Sequence, residues 1–169
     1  PNPVAQTDGW PGVREIISRA AREKLPTLVY GDYDVDGSFA AFLMYRWLRA
    51  HGVPGNCFLP SRFRHGYGLD AQVIRQAADQ GYKVLLALDC GTANLEEIAI
   101  ARSAGMEVAV IDHHTPKAEF PDAHMLNPHC EADLGPYCTA GLVWEVLRLL
   151  NSADDIEPAV YGDELEIAG

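Results

Sequence analysis

An open, mainly parallel five-stranded α/β sheet with helices on both faces is the architecture this sequence predicts, on three observations. Short apolar runs alternate with segments of helical periodicity along most of the chain. Two of those runs, Lys83 to Leu88 and Glu107 to Ile111, are almost continuously apolar, as strands buried on both faces of a parallel sheet are. Three of the runs end in acidic or imidazole residues, and in a parallel sheet such ends share one edge, where the ligand crevice forms.

Taken in order, residues 1–10 read as an irregular arm. Val13, Ile16, Ile17, Ala20 and Ala21 recur at helical spacing and predict an amphipathic helix over 11–24, stopped by Pro26. Thr27 to Asp32 is the first strand, and Gly37 to Ala50 the next helix, closed by His51-Gly52. Asn56 to Pro60 gives a short second strand. Asp70 is placed to cap a helix running through Val73, Ile74 and Ala77 to Gln80, with Gly81 behind it. The strand Lys83–Leu88 follows. Asn94 with Glu97 resembles a capping box and opens a helix to Ala104-Gly105. Glu107 to Ile111 is the fourth strand and His124 to Asn127 a short fifth. A loop bearing Gly and Pro leads to a helix over Thr139–Leu150, with Val143, Trp144, Leu147 and Leu150 expected in the core. The division is an arm (1–10), one domain (11–150) and an acidic tail (151–169), with no internal repeat.

A chain of 169 residues, 48% apolar and 22% charged, suits one globular domain. It has no apolar run of membrane-spanning length and no secretory leader, so no membrane partner is expected. The four cysteines form no C-x-x-C pair and read as reduced thiols of a cytoplasmic protein. His129, Cys130 and Cys138 lack an evident fourth ligand for zinc. The formal net charge of −11 argues against a generic nucleic-acid-binding surface. Six of the acids crowd into residues 151–169, however, and residues 1–150 carry 13 basic against 18 acidic groups. Two divalent cations would bring that core close to neutrality and could hold an anionic substrate. Oligomeric state is not set by the sequence.

The chemistry concentrates at the strand ends. Gly31-Asp32-Tyr33-Asp34-Val35-Asp36-Gly37 places three carboxylates between an apolar strand and an apolar helix, where they repel and raise one another's pKa unless a cation sits among them. The run also fits an ordinary turn, with Asp36 capping a helix that starts near Ser38. Asp89 ends the third strand, and Asp112-His113-His114 ends the fourth. Parallel pairing would bring all three groups into one crevice. A mixed carboxylate and imidazole set suits Mn²⁺ or Mg²⁺ better than structural zinc. Several carboxylates also suit two ions about 4 Å apart, the arrangement used in metal-assisted phosphate ester hydrolysis. Arg62, Arg64 and His65 form the only local concentration of positive charge; they could contact substrate phosphates, with Gly66 allowing close backbone approach. Phe63 and Tyr67 could stack on bases or pack back onto the domain.

D-Y-D-V-D-G at 32–37, L-D-C-G-T at 88–92 and I-D-H-H at 111–114 resemble the first three motifs of the DHH phosphoesterase superfamily. R-F-R-H-G-Y-G-L at 62–69, N-P-H at 127–129 and T-A-G-L at 139–142 resemble its RecJ-type branch of single-strand DNA exonucleases. The resemblance implies that Asp34, Asp36, Asp89 and His113 ligate metal, that His114 lies at the substrate phosphate, and that Asp32 and Asp112 support the cluster. It implies single-stranded DNA as partner and release of nucleoside 5′-monophosphates from a 5′ end. Phosphodiesterases of the same superfamily that act on cyclic dinucleotides or short oligoribonucleotides are the alternative, and a catalytically silent binding or scaffold module is a third. The family also has a fourth motif with a further metal-binding aspartate, preceded by a segment like Asp163–Gly169. The sequence stops short of that aspartate, so a longer enzyme, with C-terminal substrate-binding and OB domains, is expected, and weakened activity of this piece.

Overall fold

The computed structural model describes residues 2–61, 68–117, 119–131 and 134–152. In chain order they form a 3-10 turn (Pro3–Gln6), α1 (Trp10–Glu23), β1 (Thr27–Gly31), α2 (Val35–Ala50), β2 (Gly55–Phe58), α3 (Ala71–Asp79), β3 (Val84–Leu88), α4 (Leu95–Ser103), β4 (Glu107–Ile111), β5 (His124–Leu126) and α5 (Thr139–Asn151). The strands pair in the order β2-β1-β3-β4-β5, every pair parallel. The chain thus leaves β1 for one edge and returns to its other side as β3. That reversal makes the β1/β3 boundary the switch point, outside whose carboxyl ends a doubly wound sheet opens its crevice.

Strand alternation divides the core into two layers. Val29, Leu86, Leu88, Ala109, Ile111 and Leu126 face α1, α2 and α5. Leu28, Tyr30, Leu85, Ala87, Val108 and Val110 face α3 and α4. With helices on both sides, β1 and β3 are buried at every position, which is why their sequences do not alternate.

Several boundaries and contacts differ from the sequence reading. Helix α2 begins at Val35 because Asp34, not Asp36, is its N-cap, accepting the Gly37 N–H at 2.9 Å. Asp36 sits inside the first turn. Within the stretch read as an irregular arm, residues 2–10 carry ordered contacts: Val4 is buried, the Asn2 side chain caps the 3-10 turn, and its amide donates to Glu145 Oε2 at 2.6 Å. Asp70 caps α3 as expected, but Asn94 makes no capping bond to the backbone of α4 and instead donates to Glu97 Oε2 at 3.1 Å. Trp144 is 57% exposed rather than core. The buried stripe of α5 runs through Leu142, Val143, Val146, Leu147 and Leu150, which rotates Trp144 outward. No helix among the described residues is long and apolar enough to cross a membrane.

Candidate metal centre

Asp32, Asp89 and Asp112 each follow directly on the last residue of a strand, and the register aligns those last residues: Gly31 opposite Leu88, and Leu88 opposite Ile111. The ladder continues one residue past the strands, with Asp32 N–H donating to Leu88 O and Asp89 N–H to Ile111 O. The three acids therefore emerge side by side at the switch point. Gly37 lets α2 approach that edge: a Cβ there would lie 2.6 Å from the Asp32 nitrogen.

Asp89 is fully buried, with its backbone in the left-handed region at φ 62°, where Asp and Asn are the side chains best tolerated. Its Oδ1 accepts the Thr139 hydroxyl at 2.8 Å, and its buried Oδ2 has no hydrogen-bond partner among the described residues. Asp36 receives the start of α5 head-on: Thr139 N–H donates to Oδ2 and Ala140 N–H to Oδ1, both at 2.8 Å. His113 Nε2 lies 3.3 Å from Asp89 Oδ1 and 3.6 Å from Asp36 Oδ2. Asp112 accepts His113 N–H at 2.8 Å, His114 N–H at 3.2 Å and Thr92 N–H at 3.1 Å, and its Oδ1 lies 2.7 Å from His114 Nδ1. Behind it, the buried Asn127 amide donates to Thr92 Oγ1 at 3.0 Å and to His114 O at 2.9 Å.

Among the described residues, two sets of three donors lie within 4.8 Å of one another: Asp89, His113 and His114, and Asp32, Asp34 and Asp89. Asp89 belongs to both. Asp32, read from the sequence as support, lies in the second of these sets. Asp36 stands beside the cluster, aimed by α5. His129, Cys130 and Cys138 enter neither set. The substrate-contact candidates Arg62, Arg64, His65, Gly66 and Tyr67 lie outside the described residues, as does Phe63. Just beyond them, Gly68 O and Asp70 N–H are both fastened to the Tyr30 hydroxyl, at 3.1 and 3.2 Å.

The electrostatics follow from these contacts. Burial pushes the Asp89 carboxyl up to about 7, helped by Asp36 and Asp34 and opposed by the Thr139 hydrogen bond. Burial likewise raises Asp32, with Asp34 and Asp112 adding to it. Burial also acts to raise Asp112, but hydrogen bonds from Thr92 and His114 outweigh it and leave that carboxyl below its ordinary value. Burial acts to lower His114, yet its contact with Asp112 prevails and raises it. A buried carboxylate oxygen without a donor is costly unless a proton or cation meets it. Asp89 Oδ2 has that need, and the carboxylate and imidazole sets to which Asp89 belongs fit Mn²⁺ or Mg²⁺.

Thr139, Thr92 and Asn127 carry roles that sequence reasoning did not assign. Each lies in a stretch it had marked, the T-A-G-L, L-D-C-G-T and N-P-H segments, but only the folded geometry shows what they hold.

A profile of the DHH family, N-terminal domain, matches residues 26–167. The single-stranded-DNA-specific exonuclease RecJ of Salmonella typhimurium is 36% identical over 155 residues, 89% of this chain and 27% of that protein. The protein of the same name from Thermus thermophilus is 30% identical over 162 residues, 94% of this chain and 24% of that one. This chain therefore spans about a quarter of the length of these relatives. A crystal structure of exonuclease RecJ bound to manganese superposes with a TM-score of 0.76 at 30% identity, over 87% of this chain and 39% of that one. RecJ from Thermus thermophilus in complex with Mn²⁺ gives 0.78 at 26% identity, over 94% of this chain and 23% of that one.

Proposed function

From the premise that this chain belongs to the DHH family, we propose that it forms the catalytic core of a metal-dependent phosphodiesterase acting on single-stranded DNA. The reaction is hydrolysis from a 5′ end with release of nucleoside 5′-monophosphates. The observation that carries the reading is the convergence of three strand ends at Asp89, a member of both carboxylate and imidazole sets, whose buried Oδ2 has no partner among the described residues. The 30% identity to a manganese-bound exonuclease RecJ supports it.

Asp34, Asp36, Asp89 and His113 are the proposed ligands, with Asp32 supporting the cluster. A divalent cation held by them would supply Lewis acidity toward a phosphoryl oxygen and toward water. The protein's own contribution is orientation and charge. Ionised Asp112 can only accept, so the proton between it and His114 resides on Nδ1, which fixes the ring's tautomer and its plane. The same contact favours protonated His114, a positive charge suited to an anionic phosphodiester. Asp36 is oriented by two backbone N–H groups at the positive end of α5. Arg62, Arg64, His65, Gly66 and Tyr67 are the proposed contacts for the DNA strand.

The test supplies Mn²⁺ and three substrates: 5′-labelled single-stranded DNA, a cyclic dinucleotide and a short oligoribonucleotide. Release of labelled mononucleotide from the DNA is the expected result. Preferential hydrolysis of either small substrate would move the assignment to the small-nucleotide branch. Mn²⁺ uptake with no hydrolysis of any of the three would leave a binding module.

A further inference from the structure

We infer that Thr139 is a positioning residue for Asp89, its hydroxyl fixing the rotation of the carboxylate within the donor cluster. The inference rests on the reading of Asp89 as a metal ligand. Thr139 is itself fully buried at the first position of α5, and its Oγ1 lies 2.8 Å from Asp89 Oδ1. In the ionised, metal-binding form the carboxylate only accepts, so there the hydroxyl hydrogen points to Oδ1. That bond occupies one oxygen and leaves Oδ2 as the one without a donor.

Among the described residues no backbone N–H donates to the Asp89 carboxylate. The residue's own N–H is spent on Ile111 O, and the terminal torsion of an aspartate is broad and roughly two-fold. The hydroxyl supplies the missing constraint. Thr139 also joins two motifs, since its amide holds Asp36 Oδ2 while its side chain holds Asp89. A change confined to the side chain separates these roles, because the amide contact survives it. Valine keeps the shape of threonine and removes only the donor.

Isothermal titration with Mn²⁺ of the parent chain, Thr139→Val, Thr139→Ala and Thr139→Ser provides the test, with circular dichroism as a check on folding. Losing an orienting partner of a metal ligand costs about 10–100-fold in affinity, the drop expected for the Val and Ala variants. Serine restores the hydroxyl and is expected to bind within about threefold of the parent. Parent-like affinity in a folded Val or Ala variant would overturn the role. So would a Ser variant as weak as Val, which would make the methyl group's packing responsible. A parent chain that takes up no Mn²⁺ would overturn the metal-centre reading as well, an outcome distinct from equal affinities across the series.

Discussion

Replacing Asp89 with Asn turns the site's electrostatics into a stability measurement. The Asp89 carboxyl is pushed up to about 7 from an ordinary 3.8, chiefly by burial. In metal-free buffer the unfolded chain releases this proton near the lower value and the folded chain only near the higher one. The group's favourable contribution is therefore whole below pH about 4 and is lost as pH rises through 7. At about 1.36 kcal/mol per pH unit, the interval from pH 5 to 7 costs up to about 3 kcal/mol, a ceiling because the crevice can relax around a new charge. Asparagine carries no such penalty, keeps an acceptor for Thr139, and tolerates φ 62°, where alanine would add about 1 kcal/mol of backbone strain. Thermal unfolding in EDTA should show Asp89→Asn gaining on the parent between pH 5 and 8. At about 2–4 °C per kcal/mol, the widening is roughly 6–12 °C. Mn²⁺ at pH 8 should raise the parent's midpoint and leave the variant's nearly unmoved. Parallel pH curves for the two proteins would refute the reasoning, since they would mean that Asp89 ionises as freely in the folded chain as in the unfolded one.

Three further outcomes follow from particular contacts. Gly37→Ala should destabilise the chain by about 1–3 kcal/mol in urea unfolding and weaken Mn²⁺ uptake, because its Cβ would meet the Asp32 backbone at 2.6 Å. Asp112→Asn should cost about 3 kcal/mol at pH 7 in the same assay, since the carboxylate gathers N–H groups from Thr92, His113 and His114. Its folded pKa is lowered, so this contribution is present above pH about 4 and fades as acid protonates the group, and the two proteins should converge at low pH. Trp144→Ala should change stability by no more than about 1 kcal/mol, as its 57% exposure implies, and a loss above about 3 kcal/mol would put it back in the core.

The strands were legible because burial on both faces writes itself into sequence as unbroken apolar runs, and Lys83–Leu88 and Glu107–Ile111 are such runs. The acids at their ends were legible for the same reason, since a carboxylate closing a buried run has few bland explanations. The start of α2 was harder to read. Asp32, Asp34 and Asp36 are each acceptable N-caps, and only the Asp34–Gly37 bond chooses among them. Trp144 misled because it lies at helical spacing, three residues, before Leu147. The true stripe also takes in Leu142 and Val146, and that shifts the buried arc by one residue. Least legible were the contacts of Thr139 and Ala140. Their N–H groups meet an aspartate 103 and 104 positions earlier, and no local pattern announces a pairing made only when α5 lands on the sheet edge.

Those long-range donors explain how one edge tolerates so many carboxylates. Asp32 accepts Tyr33 N–H, Asp34 accepts Gly37 N–H, Asp36 accepts two N–H groups of α5, and Asp112 accepts three from its own loop and from Thr92. Each is steadied by backbone dipoles, which cannot titrate and cannot leave. Asp89 receives no backbone N–H among the described residues: Oδ1 meets the Thr139 hydroxyl and lies 3.3 Å from His113 Nε2, Oδ2 has no hydrogen-bond partner, and the residue lies deepest of the set with no exposure. The fold has neutralised the demand of its neighbours and left the demand of Asp89 standing. Among the described residues an edge built that way leaves its one undonated buried carboxylate oxygen on the residue shared by both donor sets, and a cation binding at Asp89 relieves the largest unmet demand. Removing the charge at Asp89 should therefore weaken Mn²⁺ uptake more than removing it at Asp32 or Asp34. Calorimetry on the three Asn variants measures that ranking directly, and an Asp34→Asn variant that loses more affinity than Asp89→Asn would reverse it.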